Sequence, residues 1–372
     1  MIRKIGVLTG GGDCPGLNAV IRAVVRAAHL KFGWEVIGIE DGFDGLVFSQ
    51  NLKPLNLEAV SGILHIGGTI LGTTNRGNPF KHVDFKDGKK EVCDLSPRII
   101  ENVRILGLDA IVCIGGDGTL SIAHDLFELG VPVVGVPKTI DNDISATDLT
   151  FGFTTAVDTA TDALDKLHTT AESHHRVMVV EVMGRDSGWI ALECGIAGGA
   201  DVILIPEIPF DIEKVCERVK QRYILGKRFS IVVVAEGAKA LAGQQIIISE
   251  ADDEYQNVRL GGISYTVAAQ IEKNTSIETR VVVLGHLQRG GSPNAFDRSL
   301  ATKFGAAAVG LIADGKFGYM TALAGRKITS VRIDQAVKVA KRVDPRSDDV
   351  RTAEMLGIQF GRDEPEPLNE DI

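Results

Sequence analysis

Two aspartates separated by a single residue, Asp141 and Asp143, stand in the run Thr139-Ile140-Asp141-Asn142-Asp143. Moving a phosphoryl group onto an alcohol takes a carboxylate to accept the hydroxyl proton and magnesium to offset phosphate charge. The pair can divide those duties, with Asp141 as general base, Asp143 as an orienting or metal-linked partner, and Thr139 donating a hydrogen bond to the transferred group. Asp-Asn-Asp is also ordinary turn chemistry and can cap a helix without touching a ligand. A second constellation is Gly115-Gly116-Asp117-Gly118-Thr119. Three glycines around one carboxylate leave Asp117 projecting where magnesium bound to phosphate oxygens could sit. A third is Gly10-Gly11-Gly12-Asp13. Its glycines let backbone approach a phosphate, and a following helix would aim free N–H groups and its positive dipole end at it. Taken alone, this loop also fits a tight strand-to-helix turn with no ligand. It is not G-x-G-x-x-G, because Pro15 stands where the third glycine belongs, and the chain carries no G-x-x-x-x-G-K-[ST].

The elements that must position these residues are legible as short β-branched runs alternating with helical patterns, which predicts an α/β protein whose mostly parallel sheet is covered on both faces. Candidate strands are 4–8, 110–114, 131–136, 177–183, 202–205, 230–235 and 281–284. The apolar spacing of Val20, Val24, Val25 and Ala28 predicts a helix over 17–30. Six polar clusters sit at or just past strand carboxyl ends: the three above together with Met183-Gly184-Arg185, Glu236-Gly237 and His286-Leu287-Gln288-Arg289-Gly290-Gly291. Chance would scatter them over both ends, and open α/β sheets bind ligands at the carboxyl end. Trp189, Phe151 and Phe153 read as packing residues.

Composition narrows the classes. A chain of 372 residues suggests two domains, or one large fold with a lobe. Apolar residues at 44% and charged residues at 24% describe an ordinary globular composition and argue against disorder. The longest apolar runs, such as Ile231-Val232-Val233-Val234-Ala235, fall far short of the ~20 residues a membrane span needs, and no signal peptide is legible. A net charge of −9 disfavours nonspecific binding to nucleic acid or membranes, so any anion site must be built locally. Five widely spaced cysteines (Cys14, Cys93, Cys113, Cys194, Cys216) with no Cys-x-x-Cys pair read as reduced cytoplasmic thiols. The acidic tail 363–372 reads as frayed or as a surface strap.

Longer motifs enclose these clusters: Leu8-Thr9-Gly10-Gly11-Gly12-Asp13-Cys14-Pro15-Gly16-Leu17-Asn18, Gly67-Gly68-Thr69-Ile70-Leu71-Gly72-Thr73, Pro137 to Asp143, Val180-Glu181-Val182-Met183-Gly184-Arg185, and Leu284 to Pro293. Through them the sequence resembles the phosphofructokinase family over roughly its whole length. Gly115 to Thr119 alone also resembles a motif of NAD kinases and lipid kinases, but those families leave Met183–Arg185 and His286–Gly291 unexplained. The resemblance implies two Rossmann-like three-layer domains. A nucleotide and magnesium domain would span 1–152 plus 288–338, and a sugar-phosphate domain 153–287 plus 339–372. It implies transfer from ATP to the 1-hydroxyl of fructose 6-phosphate, with magnesium as cofactor and ATP as co-substrate.

Residue by residue, Gly11, Arg76, Gly77, Gly116, Asp117, Gly118 and Thr119 would hold the nucleotide and Asp117 the magnesium. Asp141 would be the base, with Thr139, Asp143 and Arg185 completing the catalytic set. Thr139, Ile140, Asp141, Met183, Gly184, Arg185, Glu236, His286, Leu287, Gln288 and Arg289 would bind the sugar. Arg and His suit its phosphate, and a carboxylate such as Glu236 suits its hydroxyls. Arg176 and Arg280 would reach the sugar phosphate of a neighbouring subunit, which implies a homo-oligomer, dimer or tetramer, with shared active sites. Each has a plainer alternative: Arg176 as a surface ion-pair residue, Arg280 paired with Glu278 or Glu272, and His286 as a core histidine.

Two positions bear on the phosphoryl donor. Gly118 leaves space for the α-phosphate of a nucleotide, where pyrophosphate-using relatives carry an aspartate. Lys138 stands where ATP-using relatives commonly carry glycine and pyrophosphate users lysine. Exclusion by clash is the stronger filter, so ATP is the expected donor and pyrophosphate the alternative. Arg22 and Arg26, with Lys227-Arg228, match effector-site positions of regulated relatives, whereas His168 and the surroundings of Lys53 depart from them. Arg22 and Arg26 also fit a solvated helix face. A catalytically silent sugar-phosphate sensor is the remaining class, and it would be expected to lack Asp117 or Asp141.

Overall fold

The computed structural model describes residues 2–49, 51–75, 77–86, 89–241, 247–249 and 259–363. Runs such as Val177–Val182 and Ser230–Ala235 are buried at every position, the signature of strands covered on both faces. In chain order the strands are β1 (Lys4–Thr9), β2 (Glu35–Ile39), β3 (Leu52–Leu55), β4 (His82–Lys86), β5 (Lys89–Cys93), β6 (Ala110–Gly115), β7 (Val133–Thr139), β8 (Phe151–Gly152), β9 (Val177–Val182), β10 (Val202–Leu204), β11 (Ser230–Ala235), β12 (Ile247–Ser249), β13 (Arg259–Leu260), β14 (Thr279–Val283), β15 (Tyr319–Ala324) and β16 (Lys327–Arg332). All seven expected strands are among them. β7 begins two residues later than expected and carries Lys138 and Thr139 within the strand. β14 begins two residues earlier and takes in Arg280.

The chain divides into two compact units, residues 1–156 with 289–341 and residues 157–288 with 342–372. In the first unit the sheet runs β16-β15-β7-β6-β1-β2-β3, with β8 also on β7. The central pairings of β1, β2, β6, β7 and β15 are parallel, and only the outer pairs β2–β3 and β15–β16 are antiparallel. Alternate strand residues Leu8, Ile39, Ile111, Cys113, Val133 and Met320 enter one core together with Leu46, Ile99, Val103, Leu120, Ala123 and Ile333 from helices on that face. The intervening residues Val7, Val112, Ile114, Val134 and Val136 are also fully buried. Helices Leu17–Ala27 and Ala295–Ala313 pack on each other, the first against β1 and the second against β7 and β15. The expected helix over 17–30 is α-helical only to Ala27. It widens into a π turn over Ala28–Phe32 and is closed by Gly33 in the left-handed region at φ 67°.

The second unit holds the all-parallel sheet β10-β11-β9-β14. Val177, Val179, Val202, Leu204, Val232 and Val234 face helices Ile212–Ile224 and Ile263–Thr275 through Val215, Val219, Val267 and Ile271. Helix Trp189–Ala197 packs against β10 and β11. Mostly parallel sheets enclosed by helices are the architecture expected from the sequence.

Candidate active site

In the first unit, the carboxyl ends of β1, β6 and β7 carry the three constellations read from the sequence. Gly116 ends the turn after β6 as the N-cap of helix Asp117–Glu128, and no side chain caps that helix start. Its first N–H groups therefore remain available to an anion. Asp117 and Gly118 are exposed on this first turn, and a Cβ added at Gly118 would meet no atom within 4 Å. Thr119 is buried and wedged between the first and second glycine loops. A Cβ on Gly10 would lie 2.6 Å from its Oγ1, and one on Gly115 would lie 2.3 Å from its Cβ. No larger residue fits at either position without moving a strand end.

The first loop is gripped from several directions. Gly11, at φ 76°, donates its N–H to the Thr74 carbonyl at 3.1 Å, and Thr73 Oγ1 donates to the Gly11 carbonyl at 2.6 Å. Lys138 Nζ donates to the Gly12 carbonyl, and Arg289 Nη1 donates to the Asp13 carbonyl at 3.1 Å. Burial pushes the Lys138 ammonium below its ordinary pKa, opposed by the nearby Cys14, Asp13 and Asp141. Burial likewise pushes the Cys14 thiol up to about 12, which leaves it inert beneath the loop. Gly77 packs closely against Asp44 and Thr74. Arg76 lies outside the described residues.

The aspartate loop leaves β7 at Thr139. Thr139 Oγ1 accepts the Asp141 N–H at 3.1 Å, and Ile140 is buried. Asn142, between the two aspartates, sits at φ 50°, a left-handed conformation that asparagine tolerates better than most residues. Its Oδ1 accepts from Thr150 N at 3.1 Å and Lys341 Nζ at 3.0 Å. The Asp143 carboxyl is pushed up to about 7, first by burial and then by the negative charges of Asp141 and Asp117. Among the described residues no group of three or more His, Cys, Asp or Glu could hold a metal ion by itself. Magnesium bound through one or two carboxylates and substrate phosphates needs none.

The second unit carries Met183–Arg185, Glu236 and His286–Gln288 at the carboxyl ends of β9, β11 and β14, whereas Arg176 and Arg280 stand at the amino ends of β9 and β14. Gly184, at φ 138°, turns the chain after Met183, and a Cβ there would lie 2.6 Å from the Ser187 carbonyl. Gly237 N donates to the Gly184 carbonyl at 3.0 Å, and a Cβ on Gly237 would fall 1.8 Å from the Arg185 carbonyl oxygen. The Met183–Arg185 and Glu236–Gly237 turns are thus locked together, with Arg185 and Glu236 both partly exposed. Fully buried Gln288 bridges the third turn to the first, accepting Met183 N–H at 3.3 Å and donating to the Gly285 carbonyl at 3.1 Å. His286 and Leu287 are exposed on the short 3-10 turn Gly285–Arg289, so His286 is not a core histidine. Arg176 and Arg280 share one carboxylate, Glu278 Oε1, at 3.2 and 2.5 Å.

Glu181, within the Val180–Arg185 motif, is a buried structural carboxylate. It accepts hydrogen bonds from Gly262 N, Ser264 N and Ser264 Oγ at the start of helix Ile263–Thr275. Of the candidate effector positions, Arg26, Lys227, Arg228 and Lys53 are exposed and Arg22 is half-buried, while His168 Nε2 lies 2.7 Å from the Gly198 carbonyl. Lys341 is absent from the sequence reading. It bonds to a residue 199 positions away, and no local pattern marks it.

Parallel sheets with glycine turns and carboxylates gathered at their carboxyl ends define an α/β protein of the kind that binds phosphate-bearing ligands. The phosphofructokinase family model matches residues 4–312, and the chain belongs to that family. It is 54% identical over 363 residues to a Clostridium perfringens protein named ATP-dependent 6-phosphofructokinase 2, covering 96% of this chain and 98% of that one. It is 53% identical to a Streptomyces coelicolor protein named pyrophosphate–fructose 6-phosphate 1-phosphotransferase, covering 96% of this chain and 100% of that one. The crystal structure of Pichia pastoris phosphofructokinase in the T-state matches with a TM-score of 0.76 at 32% identity, covering 91% of this chain and 36% of that chain. No helix among the described residues is long and apolar enough to cross a membrane.

Proposed function

We propose that the chain transfers the γ-phosphoryl group of ATP to the 1-hydroxyl of fructose 6-phosphate. The hydroxyl oxygen attacks the γ-phosphorus, its proton passes to Asp141, and the bond to the β-phosphate oxygen breaks to leave ADP and fructose 1,6-bisphosphate. The first unit is assigned to the nucleotide, with Gly11, Gly77, Gly116, Gly118 and Thr119 shaping the phosphate cradle. Asp117, with Asp143 beside it, would hold magnesium, which supplies charge compensation on the phosphates when bound. Thr139 fixes Asp141 through its backbone N–H. The second unit is assigned to the sugar phosphate through Met183, Gly184, Arg185, Glu236, His286, Leu287 and Gln288. Arg289, on the first unit, adds a cation against the first glycine loop.

The observation that carries the donor assignment is the contrast between Gly118 and Lys138. Space beside Gly118 is open on an uncapped helix start, whereas the Lys138 ammonium is buried and engaged on the Gly12 carbonyl. A lysine already spent on backbone contributes little to holding a free phosphate. Pyrophosphate remains the second reading, because relatives of nearly equal identity carry either name. Initial velocities with fructose 6-phosphate, magnesium and either ATP or pyrophosphate test the choice. Turnover with ATP alone is the expected outcome, and turnover with pyrophosphate alone reverses it. Activity with neither would favour a sugar-phosphate sensor.

A homo-oligomer is proposed on the same footing. Arg176 and Arg280 are held side by side on Glu278, with Arg280 half exposed, an arrangement that suits presentation to a neighbouring subunit's sugar phosphate. Light scattering of the purified chain tests it. A cytoplasmic setting is in keeping with five free thiols.

A further inference from the structure

We infer that Lys341 is a positioning residue for phosphoryl transfer, acting as the clamp that holds the aspartate loop in its working shape. The inference rests on the assignment of Asp141 as base. The ammonium of Lys341 spends its three protons on three acceptors of one loop: Asn142 Oδ1 at 3.0 Å, the Thr147 carbonyl at 3.0 Å and the Asp148 carbonyl at 2.7 Å. Its backbone N–H donates to the Asp143 carbonyl at 2.7 Å. Two residues earlier, the Val339 carbonyl accepts from Ser145 Oγ at 2.5 Å. The loop that begins with the two aspartates is therefore fastened along its length to a single segment, 339–341, where the chain leaves the first unit.

The geometry to be held is unfavourable by itself. Ala146 lies at φ 62°, in the left-handed region that non-glycine residues avoid, and Asn142 lies at φ 50° in the same region, which asparagine tolerates better than most. Such conformations persist only where surrounding contacts over-determine them. The peptide units around Asn142 set the directions of Asp141 and Asp143, so relaxing that one residue swings both carboxylates. Thr150 N–H alone would leave Asn142 with a single tether. Removal of the ammonium also takes this donor from the Thr147 and Asp148 carbonyls and leaves the Asn142 amide oxygen on Thr150 alone. Burial lowers the Lys341 pKa to about 8, opposed by the charges of Asp148 and Asp143.

The test compares steady-state kinetics of the full-length parent, Lys341→Met, Lys341→Ala and Asp141→Ala, with fructose 6-phosphate and whichever donor the parent uses. A displacement of reacting groups by about 1 Å costs up to roughly a hundredfold in rate. Lys341→Met is expected to lose tenfold or more in kcat while its KM for fructose 6-phosphate stays within threefold. Ethylammonium, small enough to refill the vacated site, should restore kcat of Lys341→Ala at least threefold and leave Asp141→Ala inactive. Should Lys341→Met fail to fold, Asn142→Ala, which removes the Oδ1 shared by Lys341 and Thr150 and keeps the lysine, is expected to lose kcat with the same KM preserved. A kcat within twofold of the parent in the folded lysine or asparagine variant overturns the inference. So does a loss that ethylammonium leaves unchanged. Full turnover by Asp141→Ala would instead sink the assignment of the base, a separate result.

Discussion

The two units hold their chemistry-bearing residues differently. In the first, several candidate groups are pinned by the protein itself: Lys138 on the Gly12 carbonyl, Arg289 on the Asp13 carbonyl, the Asp141 backbone on Thr139, and Asn142 between Thr150 and Lys341, while Asp117 is exposed. In the second, the backbone turns are locked, but His286, Leu287 and Arg280 project into solvent and two arginines share one carboxylate. Groups that must develop and neutralise charge during a reaction gain from being fixed beforehand, because no reorganisation is then needed. Groups that bind a polar ligand gain from being open to it. The first unit should therefore govern kcat and the second KM.

The sharpest break of that contrast is Asp141→Ala. Turnover should fall by roughly 10²–10⁴-fold, the usual worth of a general base, while calorimetry still registers fructose 6-phosphate binding within a few-fold of the parent. Lost binding with undiminished residual turnover would move Asp141 from chemistry to recognition. Next in size is Arg280→Ala. Loss of a charge-assisted hydrogen bond to a phosphate should raise KM for fructose 6-phosphate about tenfold and change kcat much less. An unchanged KM would make Arg280 a plain surface partner of Glu278.

The smallest effect concerns stability. A carboxyl with a folded pKa of about 7, against an unfolded value of 3.8, binds more protons folded than unfolded between those values. Its contribution to stability therefore falls as pH rises through that window. Asp143→Asn should accordingly raise Tm by a few degrees at pH 7.5 in metal-free buffer, with the increment shrinking toward pH 4. An increment independent of pH would show that neither burial nor the charges of Asp141 and Asp117 raise the Asp143 pKa in the folded chain.

Much of the frame was legible because parallel strands buried on both faces are continuous apolar runs, and because glycine turns at their ends stand out against them. β2, a parallel inner strand, was not foreseen, and most of the other strands not foreseen lie at edges or in hairpins. β3 carries Pro54 and lies antiparallel at the sheet edge, where a missing N–H costs no ladder bond. β15 and β16 form a hairpin through Gly325-Arg326, and β16 never fully buries a residue. Among the described residues β4 and β5 pair only with each other.

The sequence by itself determined the α/β class, the family and the residues able to do the chemistry, since these follow from local hydrophobic period and from motifs within a few residues of one another. Only the tertiary structure decided how those residues are held. The burial of Lys138 on a loop 126 positions away, the sharing of Glu278 by two arginines and the clamping of Asn142 by Lys341 each depend on distant segments meeting in three dimensions. Side-chain partnerships of that kind leave no period in the sequence, because their spacing is set by the path of the chain rather than by the geometry of any one element.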